Sequence, residues 1–349
     1  MAVKSVRSYA PHAPKNLQPA SEDSMIKLLQ ARCPADSPLL KKGIGDDAAA
    51  FLPNQEGELW LITTDMLVER IDFHRDWTTP RQLGRKSISV NLSDLAAMGA
   101  RPRFFTISLA LPTGISERWI LEFYGGLTGK GKSLGAQLIG GDFSRSERDI
   151  VVSISAIGES LNRKVLYRAG GGPGDLLYVT GNLGRSAAGL KLLQRGHTDS
   201  KSRLRKAALQ AFRDPEPRCK AGLFLAQSGL ASCMMDLSDG LSRDLPRLCV
   251  ASDVGAEIRV SGLPVFQESA RWGFDPVELA LHGGEDYELL FAVPSSNCGL
   301  LEKIYPAELP PITRIGEMSA DVGKVWITGQ NASRRRLLPH GYDHFARRP

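Results

Sequence analysis

The stretch Gly84–Pro102, GRKSISVNLSDLAAMGARP, decides how the rest of the chain is read. It is the second part of a long helix with sharp ends. Thr79 precedes Pro80, and Gln82 stands three residues after Thr79, which is the pattern of a capping box with proline at the first helical position. Gly99 and Pro102 form the matching stop. Ile88, Leu92 and Leu95 recur at helical spacing and face a core. Ser87, Asn91, Asp94 and Met98 lie along a second stripe. Asp94 is therefore an acid among small and apolar neighbours, where a carboxylate is costly without a cation. Alone, it reads as a solvated acid on a surface helix. Its companions elsewhere in the chain reverse that reading.

The chain of 349 residues is long enough for roughly two domains with their own cores. Its 42% hydrophobic and 23% charged residues are ordinary for a globular protein. No apolar run reaches the length of a membrane span, and the first residues lack a signal-peptide pattern. Five cysteines without paired ligand spacing fit reduced thiols and a cytoplasmic location. The net charge of +6 invites a nucleic-acid reading. However, residues 1–20 carry +3 and residues 334–349 carry +4, which leaves −1 for the middle. The excess belongs to solvated ends rather than to a binding groove, so neither nucleic acid nor membrane is expected as a partner.

Residues 1–20 have no periodicity and read as a disordered extension. Helices are expected near Ser21–Ala31, Thr79–Gly99, Ser116–Tyr124, Leu183–Gln194, Ser202–Phe212, Glu216–Gln227 and Gly240–Ala251. Strands are expected at Leu59–Thr64, Phe104–Leu111, Ile150–Ile157, Leu176–Thr180, Cys233–Met235, Glu288–Val293, Ile312–Ile315 and Lys324–Thr328, and Leu138–Ile139 leads into Gly140-Gly141-Asp142. Ser160–Asp175 marks a domain boundary by its glycine content. Strands and helices mix without strict alternation, which predicts an α+β fold. Domains are set at 21–160 and 161–349. Asn91-Leu-Ser-Asp94 is echoed weakly by Asp236-Leu-Ser-Asp239.

Several acids sit at strand ends or glycine turns: Asp46 and Asp47 after Gly45, Asp65 after Ile62-Thr-Thr, Asp142 after two glycines, and the pair Asp236 and Asp239. Strand ends deliver side chains to a cleft. Converging carboxylates repel one another without cations. An all-oxygen set, with the hydroxyls of Thr63, Thr64 and Ser238 nearby, points to Mg²⁺ or a similar hard ion. Taken singly, each acid could instead cap a turn or helix. Such Mg²⁺ sites accompany a polyphosphate ligand. The glycines of Gly170–Gly174 beside Arg168 could cradle it with backbone N–H groups, or could form an interdomain turn. A second glycine motif, Gly126–Ser133, matches the G-x-x-x-x-G-K-[ST] phosphate loop, which needs a strand before it and a helix after it. Here the order is reversed, and the stretch reads as a glycine–lysine helix terminus on the surface.

Taken together, GIGDDAA at Gly43–Ala49, TTD at Thr63–Asp65, NLSDLAAMGA at Asn91–Ala100 and IGGD at Ile139–Asp142 form an ordered series. It continues with Arg168 to Asp175, DLSDGL at Asp236–Leu241, GGED at Gly283–Asp286 and GYDHF at Gly341–Phe345. From about Ser21 to Phe345 the chain resembles the thiamine-monophosphate kinases. The resemblance implies the aminoimidazole-ribonucleotide-synthetase-like fold, with an N-terminal ATP-binding domain that dimerises through its sheet and a C-terminal α/β domain. It implies phosphorylation of thiamine monophosphate to thiamine diphosphate with ATP as co-substrate and several Mg²⁺ ions. The family's metal ligands fall on Asp47, Thr63, Thr64, Asp65, Asp94, Asp142, Asp236 and Asp239. Asp65, Asp94 and Asp142 are the expected catalytic residues. ATP contacts fall on Gly141, Asp142, Arg168 and Ser238, and acceptor contacts on Glu285, Asp72 and Tyr342. Two positions depart from the family pattern: Asp72 stands where a histidine is common, and Pro339 where a tryptophan is frequent, with Tyr342 offering an aromatic surface instead. The alternatives are a selenophosphate- or aminoimidazole-ribonucleotide-synthetase type of enzyme, or a nucleotide-binding maturation scaffold. The first lacks its N-terminal Cys–Lys pair here, and the last its reactive C-terminal Cys.

Overall fold

The computed structural model describes residues 22–32, 37–53, 57–329, 331 and 333–345. The extension 1–20, Cys33 and the arginines 347 and 348 lie outside them. Helix α1 (Glu22–Arg32) and residues 343–345 belong to a unit of their own, in which Asp343 Oδ1 accepts a hydrogen bond from Phe345 N at 2.9 Å.

Residues 37–342 build two sheets. The first has six strands: β1 (Leu40–Lys42), β2 (Ala49–Phe51), β3 (Trp60–Val68), β4 (Arg101–Leu111), β5 (Gln137–Arg145) and β6 (Val151–Glu159), ordered β1-β2-β3-β6-β4-β5. The β4–β5 pair is parallel and its other pairs are antiparallel. The second has seven: β7 (Leu176–Thr180), β8 (Cys233–Asp236), β9 (Gly255–Arg259), β10 (Leu289–Val293), β11 (Ile312–Ser319), β12 (Val325–Thr328) and β13 (Arg334–Arg336), ordered β13-β12-β9-β11-β7-β10-β8. Mixed sheets with helices inserted between strands make this an α+β fold, as the sequence predicts.

Helix α2 (Pro80–Ala97) carries the caps read from the sequence. Thr79 Oγ1 accepts from Gln82 N at 3.2 Å, and Gln82 Oε1 accepts from Thr79 N at 3.0 Å. Gly99 at φ +69 ends it, a left-handed turn that glycine adopts without strain. Pro102 is not only a stop; it lies inside β4. From Leu83 to Ala97 every residue but Arg85 and Asp94 is buried, so α2 is no surface helix. It packs on β3 and β6 of the first sheet, on β8 of the second, and on α3 (Glu117–Ser133) and α6 (Cys219–Ser228). Glycine makes those approaches possible. A Cβ on Gly84 would lie 2.1 Å from Phe123 O, and one on Gly222 would lie 1.9 Å from Ala96 O.

Helix α3 is longer than expected and swallows the phosphate-loop match. Gly126 would place a Cβ 2.0 Å from Arg81 O, and Gly131 one 2.8 Å from the Phe105 ring. Both motif glycines are thus packing glycines. Lys130 is buried against Asp214 and Glu216, and only Lys132 matches the surface terminus expected from the sequence.

In the first sheet, Leu61, Thr63, Leu67, Phe105, Ile107, Leu109, Val152, Ile154 and Ala156 alternate toward α2 and α3. The opposite face carries Ile62 and Met66, 38% and 57% exposed. In the second sheet, β10 is buried on both faces: Leu289, Phe291 and Val293 join the core shared with α2 and α6, while Leu290 and Ala292 pack with Leu241, Leu245 and Leu248 of α7 (Leu241–Ala251). Helices α4 (Arg185–Gln194) and α5 (Arg203–Arg213) form a smaller cluster with Phe266 and Phe274. Sequence reading missed β1, β2, β9, α8 (Pro276–His282), α9 (Cys298–Ile304) and β13. Part of the basic C-terminal stretch is therefore ordered: Arg334 pairs with Glu257 at 3.0 Å and stacks on Trp326.

Candidate active site

The acids converge where α2 crosses from one sheet to the other. Asp47 follows the turn after β1, Asp94 lies on α2 and Asp236 ends β8; one carboxylate oxygen of each falls within 4.8 Å of the others. Around them the polar groups are fully engaged. Thr63 Oγ1 donates to Asp94 Oδ2 at 2.5 Å, and Ser93 Oγ donates to Asp236 Oδ2 at 2.6 Å. The two echoing Leu-Ser-Asp segments thus meet. Asn91 Oδ1 accepts from Asp65 N at 3.0 Å, which fixes β3 against α2.

Burial and the charges of Asp65, Asp236 and Asp47 push the Asp94 carboxyl well above the usual carboxylate range. Burial and Asp47 do the same to Asp236. Arg168 is the nearest cation: its Nε and Nη2 donate to the two oxygens of Asp47 at 3.0 and 2.8 Å. Its backbone N–H reaches Asp46, which is raised by burial and Asp47 although Lys42 lies 3.0 Å away. One guanidinium cannot neutralise three carboxylates. An oxygen-only donor set with excess negative charge fits a hard divalent cation.

The other expected residues are distributed around this cluster. Asp65 lies in the middle of β3 rather than at its end, because β3 continues to Val68. Its charge still reaches Asp94. Thr64 points to the opposite face of the sheet and donates to Ile154 O at 2.9 Å. Gly141 and Asp142 lie on the edge strand β5. Asp142 is exposed in the row of Ser108, Ser153 and Met66, outside the trio. Asp239 pairs with Arg247 Nη1 at 2.6 Å. Asp72 Oδ2 accepts from Val68 N at 2.7 Å. Tyr342 N donates to Asp239 O at 3.1 Å, and Tyr342 O accepts from Arg243 at 2.7 Å, so this segment is tied to the loop of Ser238.

In the stretch Gly170–Gly174, three of the glycine N–H groups are already taken. Gly171 N donates to Ser252 Oγ, Gly172 N to Asp175 Oδ2 and Gly174 N to Met318 O. These bonds hold the stretch as a turn.

Opposite Asp236 runs the Gly283–Glu288 loop. Glu285 N donates to Ser238 O at 2.7 Å and Tyr287 N to Leu237 O at 2.9 Å. Glu285 and Tyr287 sit at φ +64 and +50. Such backbone in a non-glycine residue costs about 1–3 kcal/mol and clusters at functional loops. Asp286 accepts from Gly184 N at 2.6 Å and from Ser186 N, capping α4; burial raises it to about 7. Three site residues escaped the sequence reading. Asp244 accepts from the N–H groups of Asp239 and Gly240, both at 3.0 Å, and shapes their loop; Arg247 pairs with both acids. Lys86, 2% exposed, lies 2.7 Å from Glu285 Oε1. Its position, a lysine eight residues before Asp94 on α2, was there to be read, but the pairing with Glu285 was not.

Two family models match this architecture, AIR synthase related protein N-terminal domain over residues 45–160 and its C-terminal domain over residues 172–327. The fold and the acidic site therefore define a protein of the AIR synthase related class. The thiamine-monophosphate kinase of Salmonella typhimurium is 40% identical over 313 residues, 88% of this chain and 93% of that protein. That of Bacillus subtilis is 34% identical over 304 residues, 87% and 93%. The chain belongs to the thiamine-monophosphate kinase family. Among solved structures, AaThiL complexed with AMPPCP and TMP superposes with a TM-score of 0.82 at 31% identity, covering 95% of this chain and 99% of that one. Hydrogenase maturation protein HypE in complex with ATP, at 18% identity and a TM-score of 0.64, shares the fold.

Proposed function

We propose that this protein transfers the γ-phosphate of ATP to thiamine monophosphate, giving thiamine diphosphate. The observation that carries the reading is the convergence of Asp47, Asp94 and Asp236 in a chain of this family. The neighbouring Thr63, Asp65 and Asp239 extend that donor set. These six residues would hold Mg²⁺. Bound Mg²⁺ supplies charge neutralisation between the two anionic reactants. The chain's own residues position the reactants and need not move a proton. The acceptor phosphate has its second pKa near ~6 and is ionised at neutral pH, so no general base is needed. Transfer proceeds directly, without a phosphoenzyme. Arg168, Ser238 and Gly141 contact the nucleotide. Asp142 is exposed on β5, on the same outer face as Thr64 and Met66, and so acts apart from the trio. Thr64 contributes at most its backbone, since its hydroxyl is turned away. Glu285, Asp72 and Tyr342 frame the acceptor.

The exposed Ile62 and Met66 support a homodimer in which a second copy covers the outer face of the six-stranded sheet. Cys219, Cys233, Cys249 and Cys298, all buried free thiols, support a reducing cytoplasm. The boundary near residue 160 separates the nucleotide-binding half from the C-terminal half.

The deciding measurement is separation of products after incubation with ATP, Mg²⁺ and thiamine monophosphate. Thiamine diphosphate should form, and a chelator should abolish it. Preference for free thiamine over its monophosphate rejects the assignment. In the same assay Lys132→Ala should keep the wild-type rate and shift stability by no more than about 0.5 kcal/mol. A true phosphate-loop lysine would instead lose roughly 10²-fold or more.

A further inference from the structure

Lys86 is a buried cation that no role assigned so far explains. It lies in the first half of α2 with 2% of its side chain exposed. Three separate segments close on its ammonium: Glu285 Oε1 at 2.7 Å, Asp72 O at 3.5 Å and the Phe212 ring at 3.8 Å to its centroid. Desolvating an ammonium is costly, and an apolar pair would fill the space as well or better. The fold keeps the ion pair at a loop whose backbone is already pinned. Glu285 N is bonded to Ser238 O, Tyr287 N to Leu237 O, and Asp286 to the start of α4. The backbone being fixed, the carboxylate direction of Glu285 is the remaining freedom, and Lys86 removes it. Glu285 stays 23% exposed, and it lies within electrostatic reach of Asp72 and Asp239. Its open side therefore faces a region of negative charge, suited to a cationic ring such as the thiazolium of the acceptor.

We propose that Lys86 is the positioning residue of the acceptor site, holding the Glu285 carboxylate in the orientation that recognises thiamine monophosphate while leaving nucleotide binding untouched. This rests on the acceptor assignment made above. The face of Phe212 assists by stabilising the ammonium where water cannot reach it.

The test is steady-state kinetics of the full chain with Mg²⁺-ATP and thiamine monophosphate, each varied at saturation of the other, for wild type, Lys86→Met, Lys86→Arg and Glu285→Gln. The acceptor KM should rise by ~10-fold or more in Lys86→Met and in Glu285→Gln, the range of one charged hydrogen bond. The ATP KM should stay within about twofold, and Lys86→Arg should recover part of the loss. A double variant carrying Lys86→Met and Glu285→Gln should be little worse than the more impaired of the two single variants, since both remove one interaction. Glu285→Gln keeps a hydrogen-bond partner for the lysine, so it remains readable where Lys86→Met does not fold. An unmoved acceptor KM in Glu285→Gln, or equal rises in both KM values, overturns the proposal alone. A wild-type protein that does not phosphorylate thiamine monophosphate overturns the functional reading and this inference with it.

Discussion

Asp94→Asn and Asp236→Asn should each lower turnover by roughly 10²-fold or more while leaving the fold intact. Asp236 is buried and Asp94 half-buried, and each is held above its ordinary range by desolvation and by neighbouring acids. Without a cation, the trio is a source of repulsion. An amide removes one repelling charge and keeps an oxygen for the hydroxyl donor, Thr63 in one case and Ser93 in the other. The metal-free variants should therefore melt at or above the wild-type temperature. With Mg²⁺ the order reverses. Wild type gains stability in proportion to the logarithm of the ion concentration above its Kd, and the variants should gain little. Thermal melts with and without Mg²⁺, beside the rate assay, separate a metal role from a packing role. Near-normal rates at saturating Mg²⁺, or an undiminished Mg²⁺-induced rise in Tm, would falsify the metal assignment of the trio.

Arg218→Ala should destabilise the protein by about 3–5 kcal/mol, because it strands a buried charge. Glu288 has 4% of its side chain exposed and accepts from Arg218 Nε at 2.6 Å and Nη2 at 2.5 Å, with Thr180 Oγ1 at 2.6 Å. The carboxylate is inserted so closely that a Cβ on Gly181 would lie 2.0 Å from its Oε1. The double change Arg218→Met with Glu288→Leu should recover most of the loss, because no charge is then left unpaired. Urea unfolding with a constant m-value is the measurement. A loss below about 1 kcal/mol for Arg218→Ala would mean that the pair is solvated in practice.

The chain by itself determined the features whose physics is local. The start of α2 was legible because Thr79, Pro80 and Gln82 satisfy the first turn's donors within four residues. Its end was legible because Gly99 takes a left-handed turn. Asp94, Asp47 and Asp236 were recognisable as a group because acids recur at turns without enough cations to answer them. Asp275 with Pro276 is a local start signal too, yet α8 is only seven residues long and carries too little periodicity to be read.

Tertiary structure decided the rest, through contacts between residues far apart in the chain. Periodicity assigned α2 one buried face, but sheets on two sides bury nearly all of it, and no periodic signal distinguishes that case. Gly126 and Gly131 imitate a phosphate loop in sequence, and only the approach of Arg81 and Phe105 reveals them as packing glycines. Of the glycines after Arg168, Gly171, Gly172 and Gly174 give their N–H groups to Ser252, Asp175 and Met318, contacts that the sequence does not announce. Strand β13, three arginines in a row, is a strand only because Trp326 and its neighbours in β12 supply the pairing. Lys86 reads as an ordinary helical lysine; it becomes part of a site because the loop of Glu285, nearly two hundred residues later, folds back upon it.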